Sequence, residues 1–234
     1  MRLKDKVAIV VGAGQTPGET VGNGRATAIL FAREGARVAL VDCNLDSALE
    51  TQALIEAEGG ECISLKGDVT DESDCKKFVR ATIEKYRRID VLHNNVGIGS
   101  GDDAVERLTV EAWDRIFAVN LKGMFLSCKS VLPVMREQQS GSIINISSIA
   151  AVCAANIVAY KTSKAGLNAL TQQIAIDNAR FGIRANAIMP GLMNTPMAIE
   201  TISKMRGIPK DQLIRDRDAR VPLRGKMGTA WDVA

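Results

Sequence analysis

The sequence predicts an α/β fold in which a parallel sheet is wound on both faces by helices. Three observations lead there. Val7-Ala8-Ile9-Val10-Val11 is an apolar, β-rich run without a polar break, the pattern of a strand buried on both faces. Short apolar runs then alternate with helical spacing, β then α, six times along the chain. Helices that link parallel strands by right-handed crossovers give a doubly wound sheet of order 3-2-1-4-5-6. No linker, repeat or composition break divides the 234 residues, so residues 1–234 read as a single domain.

The elements follow in order. After the first strand and a Gly-rich turn, the segment from Asn23 is helical and stops at Gly35. Arg37 to Val41 is the second strand, Asp46 to Glu58 a helix, and Cys62 to Leu65 the third strand. Thr70 is expected to cap the next helix, with Asp71 and Glu72 in the first turn facing its dipole. Cys75, Phe78, Val79 and Ile83 in that helix have helical spacing. Ile89 to Leu92 is the fourth strand, roughly Thr109 to Gln138 one long helical region, and Ser142 to Ile146 the fifth strand. A helix from about Val158 to Arg180 and a sixth strand at Ile183 to Ile188 complete the pattern.

Composition removes several function classes. Thirty basic and 27 acidic residues leave a net charge of +3, too balanced to argue for nucleic acid or a membrane surface. No apolar stretch is long enough for a membrane span. Only five apolar residues follow Met1 to Lys6, too few for a signal peptide core. Five cysteines, odd in number and without a CxxC, then read as small apolar residues of a reduced, cytoplasmic protein. The single histidine, His93, excludes a His-rich metal site and is read as packed core. Neither a GxSxG elbow nor a GxxxxGK loop occurs.

Two clusters carry chemistry. The first is the turn from Gly12 to Gly24, between the first strand and the first helix. Glycines there let the backbone approach a pyrophosphate whose charge sits at the helix N-terminus. Asp42 ends the second strand 18 residues beyond Gly24, where a dinucleotide fold of the Rossmann type places a ribose-binding carboxylate. A carboxylate accepts from both ribose hydroxyls and repels a 2′-phosphate. At an effective dielectric near 20 one close charge pair is worth about 4 kcal/mol, which favours NAD over NADP. The second cluster is Tyr160-Lys161-Thr162-Ser163-Lys164, which puts a phenol and an ammonium on one helix face. A tyrosine of ordinary pKa near 10 needs such a cation to act as an acid/base at neutral pH.

With these pieces in view, the sequence resembles the short-chain dehydrogenase/reductase family over essentially its whole length. The motifs occur in the family's order: the turn at Gly12 to Gly24, Asp42, Asp68-Val69, Asn94-Asn95-Val96-Gly97, Asn120, Asn145-Ile146-Ser147-Ser148, Tyr160-xxx-Lys164, and Pro190-Gly191 leading to Thr195. The resemblance implies that Tyr160 is the general acid/base, that Lys164 lowers its pKa and holds the nicotinamide ribose, and that Ser148 hydrogen-bonds the reacting oxygen. Asn120 would position a water relaying protons to Lys164. Gly12, Gly22 and Gly24 would be the phosphate-loop glycines, with Gly18 a rival for the middle one. Asp68 and Val69 would flank adenine, Asn95 and Gly97 line the cofactor cleft, and Pro190, Met193 and Thr195 meet the carboxamide end. Ser147, adjacent to Ser148, is set aside on the NxSS pattern.

The expected activity is hydride transfer between NAD and a secondary alcohol or ketone, by a homo-oligomer (dimer or tetramer). Two rival readings are a dinucleotide-binding regulator without turnover and a methyltransferase on a similar fold. The sequence departs from the family in three places. The phosphate loop is six residues longer than usual, Val96 replaces an alanine, and the chain stops at Ala234 where relatives continue through one more helix and strand. The usual seventh strand is therefore absent, and either a longer gene product or a partner chain is expected to cover the bare sixth strand. Residues 193–227 are expected to form a substrate lid. Eight basic residues against three acidic ones between Lys204 and Lys226 read either as a solvated lid helix whose charges have no specific partner or as a rim that recruits an anionic substrate.

Overall fold

The computed structural model describes residues 1–153 and 157–234. Six parallel strands, β1 (Val7–Val11), β2 (Arg37–Asp42), β3 (Cys62–Lys66), β4 (Val91–Asn94), β5 (Gly141–Ile146) and β6 (Ile183–Ile188), pair in the order β3-β2-β1-β4-β5-β6. Every residue of β1 is buried, as a strand covered on both faces requires. The register sets Ile9 beside Ala39 and Leu92, and Asn94 beside Asn145.

Helices α1 (Asn23–Arg33), α2 (Leu45–Ala57), α3 (Glu72–Tyr86), α4 (Val110–Phe117), α5 (Gly123–Glu137) and α6 (Val158–Asn178) connect the strands. One core joins Ile9, Val11, Ala39 and Val41 to Phe78 of α3, Met124 and Val131 of α5, and Leu167 of α6. The other face packs Val10, Val38 and Leu40 on Ala28, Ile29, Ala48 and Ile55 of α1 and α2. Beyond β6 lie β7 (Met193–Asn194), α7 (Pro196–Arg206), α8 (Lys210–Asp218), β8 (Gly228–Thr229) and α9 (Ala230–Val233). β7 and β8 form a separate parallel pair, and α9 packs on α1. None of these extends the main sheet, so β6 ends it as expected. Among the described residues, no helix is long and apolar enough to cross a membrane.

Three local expectations are corrected. Thr70 does not cap α3: its hydroxyl donates to Asp68 Oδ1 at 2.8 Å, while Asp71 is the cap, accepting from Ser73 N–H at 2.7 Å. Strand β4 begins at Val91 rather than Ile89, because the Gln138 amide takes both the N–H and the carbonyl of Ile89. His93 and Asn94 enter the strand instead, opposite Val10 and Val11 of β1. The long helical region is broken by a π-helical segment at Ala118–Lys122. His93 is core as expected: only 2% exposed, it meets Phe31 edge-on, and burial pushes its pKa down to about 4.

Candidate active site

All six strands run the same way, so their C-terminal ends share one edge of the sheet. β1 and β4 are neighbours whose connections leave in opposite directions, which opens a crevice at that edge. The loops after all six strands, together with the π-helical segment and α6, carry the candidate residues.

The Gly-rich loop is shaped by close approach. A Cβ on Gly24, in the first turn of α1, would run into the Gly12 carbonyl oxygen and stand 2.7 Å from Asn95 Nδ2. Gly22 occupies the N-cap of α1 and offers no side chain there, leaving first-turn N–H groups for an anion. Gly18 instead faces Pro196 and Glu200 of α7. Of the two rivals for the middle glycine, Gly22 is the one at the helix terminus. The inserted residues are pinned by contacts that sequence reading missed. Gln15 Oε1 accepts from Gly22 N–H at 2.9 Å, and Ser47 Oγ accepts from Gln15 N–H at 2.9 Å and donates to Gln15 O at 3.1 Å. Asp42 Oδ2 accepts from Gly14 N–H at 2.9 Å, and its Oδ1 from Asn44 N–H at 2.9 Å. Farther along the edge, Asp68 is exposed and Val69 buried against the backbone of Gly123. Asn95 Nδ2 donates to Gly12 O at 3.3 Å.

Tyr160 and Lys164 lie one turn apart on α6. Lys164 is buried, its Nζ donating to Ile146 O at 2.7 Å and Val96 O at 3.4 Å and standing 5.8 Å from the Tyr160 ring centroid. Burial draws the ammonium pKa down to about 8. A Cβ on Gly97 would sit 3.1 Å from Nζ, so the Asn95–Gly97 loop and the lysine share one space. The phenol pKa is raised by burial, and a hydrogen bond with the Ser148 hydroxyl acts in the lowering direction. Ser147 is turned away and donates to Lys164 O at 3.1 Å, which separates the two serines by direction.

Asn120 sits in the π-helical segment, fully buried. Its Oδ1 accepts from Ile98 N–H at 2.8 Å, and its Nδ2 donates to Ile98 O at 2.9 Å and Ser163 Oγ at 3.2 Å. Its side chain therefore clamps the loop after β4. At the far end, Pro190 O accepts from Ile149 N–H at 3.0 Å. Met193 is paired with Gly228, and Thr195 is buried at the start of α7.

The donor set fits a dinucleotide: a cradle too tight for any Cβ at Gly24, an uncapped helix terminus for pyrophosphate, a carboxylate for ribose, and a phenol–ammonium pair beyond. Buried Asn23 Oδ1 at that same terminus has no protein partner.

Comparison with known proteins agrees. A family model described as short chain dehydrogenase matches residues 6–206. A 2-(R)-hydroxypropyl-CoM dehydrogenase of Xanthobacter autotrophicus is 38% identical over 233 residues, covering 98% of this chain and 88% of that one. A levodione reductase of Leifsonia aquatica is 35% identical over 207 residues, 87% of this chain and 75% of that one. Among solved structures, an NAD⁺-bound xylitol dehydrogenase superposes with a TM-score of 0.90 at 30% identity, covering 100% of this chain and 90% of that one.

Proposed function

The chain belongs to the short-chain dehydrogenase family, and from that premise we propose that it oxidises a secondary alcohol, or reduces the ketone, with NAD(H) and Tyr160 as general acid/base. The observation that carries this reading is the placement of the Tyr160 phenol one turn from Lys164 on α6, with the buried ammonium 5.8 Å from its ring. Bound nicotinamide supplies or accepts the hydride at the carbinol carbon. Tyr160 Oη gives a proton to the carbonyl oxygen in reduction and takes it from the hydroxyl in oxidation. A phenol whose pKa is raised is protonated at neutral pH, the form a reduction needs. Ser148 Oγ holds the reacting oxygen by hydrogen bond. Lys164 keeps a cation near the phenol and within reach of the cofactor ribose. Gly12, Gly22 and Gly24 hold pyrophosphate, and Asp42 the adenosine ribose, which favours NAD over NADP. Asp68, Val69, Asn95, Gly97, Pro190, Met193 and Thr195 line the rest of the cofactor cleft.

The reading extends to residues 193–227 as the substrate lid, to a homo-oligomer, and to a cytoplasmic setting for the five thiols. An anionic group on the substrate is favoured by Arg217. This half-buried guanidinium donates from Nε to Met227 Sδ at 3.3 Å and forms no salt bridge among the described residues. Burial, with Arg220 and Arg206 nearby, lowers its pKa.

The test is Tyr160→Phe, assayed with NAD and a panel of secondary alcohols. The variant is expected to lose at least about a hundredfold in kcat and keep its NADH affinity. Near-parental turnover refutes the assignment of Tyr160.

A further inference from the structure

Helix α6 carries Tyr160 and Lys164, and its N-cap residue, Ile157, has no side-chain oxygen to offer. Among the described residues, no side chain local to that turn takes the first N–H groups. Such orphan donors need acceptors from elsewhere. They find one 57 and 58 residues upstream: Asp102 Oδ1 accepts from Ala159 N–H at 3.0 Å, and Asp102 Oδ2 from Tyr160 N–H at 2.7 Å. The second donor is the backbone of the candidate acid/base itself.

Asp102 ends a loop that is held at each step. Asn120 grips both backbone groups of Ile98, and Arg115 Nη2 donates to Ser100 O. Asp102 N–H closes a turn onto Gly99 O at 3.2 Å. That turn passes through Gly101 at φ +82°, a conformation that favours glycine. A Cβ on Gly99 would stand 3.6 Å from Tyr160 Cδ2, so the loop runs along the tyrosine ring. At the other end of the same loop, Lys164 Nζ reaches Val96 O at 3.4 Å. The segment from Val96 to Asp102 is thereby fastened to α6 twice, once by each end, and the Asp102 fastening falls on the backbone of Tyr160 itself.

We propose that Asp102 is a positioning residue for Tyr160: it caps α6 from a distance and ties the loop after β4 to the turn that aims the phenol. The proposal rests on the acid/base reading of Tyr160, because aim matters only if the phenol meets a reacting oxygen. An anion that accepts two first-turn N–H groups both satisfies them and faces the positive end of a 21-residue helix. Replacing it leaves helix and loop free to shift relative to each other. A displacement near 1 Å can cost about a hundredfold in rate even when binding survives.

A double substitution separates tethering from capping. Ile157→Ser gives α6 a local cap that does not touch the loop. In the full-length chain, Asp102→Ala is expected to lower kcat at least about tenfold, with the KM for NADH unchanged within about twofold, and to lower Tm. Asp102→Asn keeps an acceptor and is expected to recover part of kcat. Asp102→Ala combined with Ile157→Ser is expected to recover Tm and not kcat. Parental kcat in Asp102→Ala, or kcat restored together with Tm in the double variant, overturns the proposal. If Asp102→Ala does not fold, Asp102→Asn with and without Ile157→Ser carries the same comparison.

A readout independent of turnover keeps this apart from the assignment of function. The chain has only two tyrosines, so ¹³C labelling at the tyrosine Cζ gives one resonance each for Tyr86 and Tyr160. The Tyr160 signal is expected to shift or broaden in Asp102→Ala and in the double variant while the Tyr86 signal holds. A parent without turnover on any alcohol refutes the proposed function, and the tether is then judged on the NMR signal alone. A Tyr160 resonance identical in parent and double variant refutes the tether.

Discussion

The carboxylate of Asp42 is bonded to the backbone N–H of Gly14 at 2.9 Å, so the end of β2 and the Gly-rich loop form one unit. Asp42 spends Oδ2 on the loop, and its Oδ1 accepts from Asn44 N–H at 2.9 Å and from the Cys43 thiol at 3.7 Å, which leaves a lone pair on Oδ2. A carboxylate fixed in this way is the arrangement that the proposed NAD preference requires.

NAD is expected to be preferred over NADP in kcat/KM, and Asp42→Ala to shrink that preference at least about tenfold, within the roughly 4 kcal/mol that one close charge pair can supply. The variant is also expected to bind NADH more weakly, since Gly14 loses its anchor. Equal use of both cofactors by the parent refutes the role of Asp42.

The runs at Val7–Val11 and Ile183–Ile188 match the observed strands residue for residue; β1 was legible because it is buried on both faces, and β6, where only Ile183 is fully buried, because its apolar residues stand between a glycine and a proline. What failed depends on contacts from far away in the chain. Ile89 reads as strand until Gln138, 49 residues on, takes its backbone groups. Thr70 reads as a cap until Asp68 takes its hydroxyl and Asp71 supplies a better acceptor. The site shows the same division. Tyr160, Lys164 and Ser148 were found from spacing and motif, and the structure gathers them. The π-helical segment under Asn120, the Gln15–Ser47 bonds and the Asp102 clamp carry no local signal. The nearest hint is negative: the N-cap position of the 21-residue helix is Ile157, whose side chain has no acceptor.

Two glycines measure how tight the cofactor end is. Gly24→Ala places a methyl group against the Gly12 carbonyl oxygen and Asn95 Nδ2, whereas a Cβ on Gly191 meets nothing within 4 Å. Backbone cannot yield as a flexible side chain does, so Gly24→Ala is expected to lower Tm by about 5 °C or more and to weaken NADH binding at least about tenfold. Gly191→Ala is expected to leave both unchanged. Fluorescence titration with NADH and thermal melts of the two variants decide it, and parental behaviour of Gly24→Ala contradicts the close approach.

Lys164 sets the function of the site against its stability. Burial draws its pKa from 10.5 down to about 8, while the unfolded chain titrates near the ordinary value. Between those two pH values the unfolded state holds more protons than the folded one, so stability rises with pH across that window. Below it, the cost of keeping the buried ammonium charged is fully present, on the order of 3 to 4 kcal/mol for a gap of this size. Lys164→Met removes the titration altogether. It also leaves the Ile146 carbonyl without its donor, a loss that does not vary with pH. The parent is therefore expected to gain stability relative to Lys164→Met as pH rises from 8 to 10.5, measured by urea unfolding of both chains. Other lysines titrate alike in the two proteins and cancel in the difference. The same variant is expected to lose at least about a hundredfold in kcat. A stability difference that stays flat across the window contradicts the desolvated ammonium, and a fully active variant contradicts its part in the chemistry.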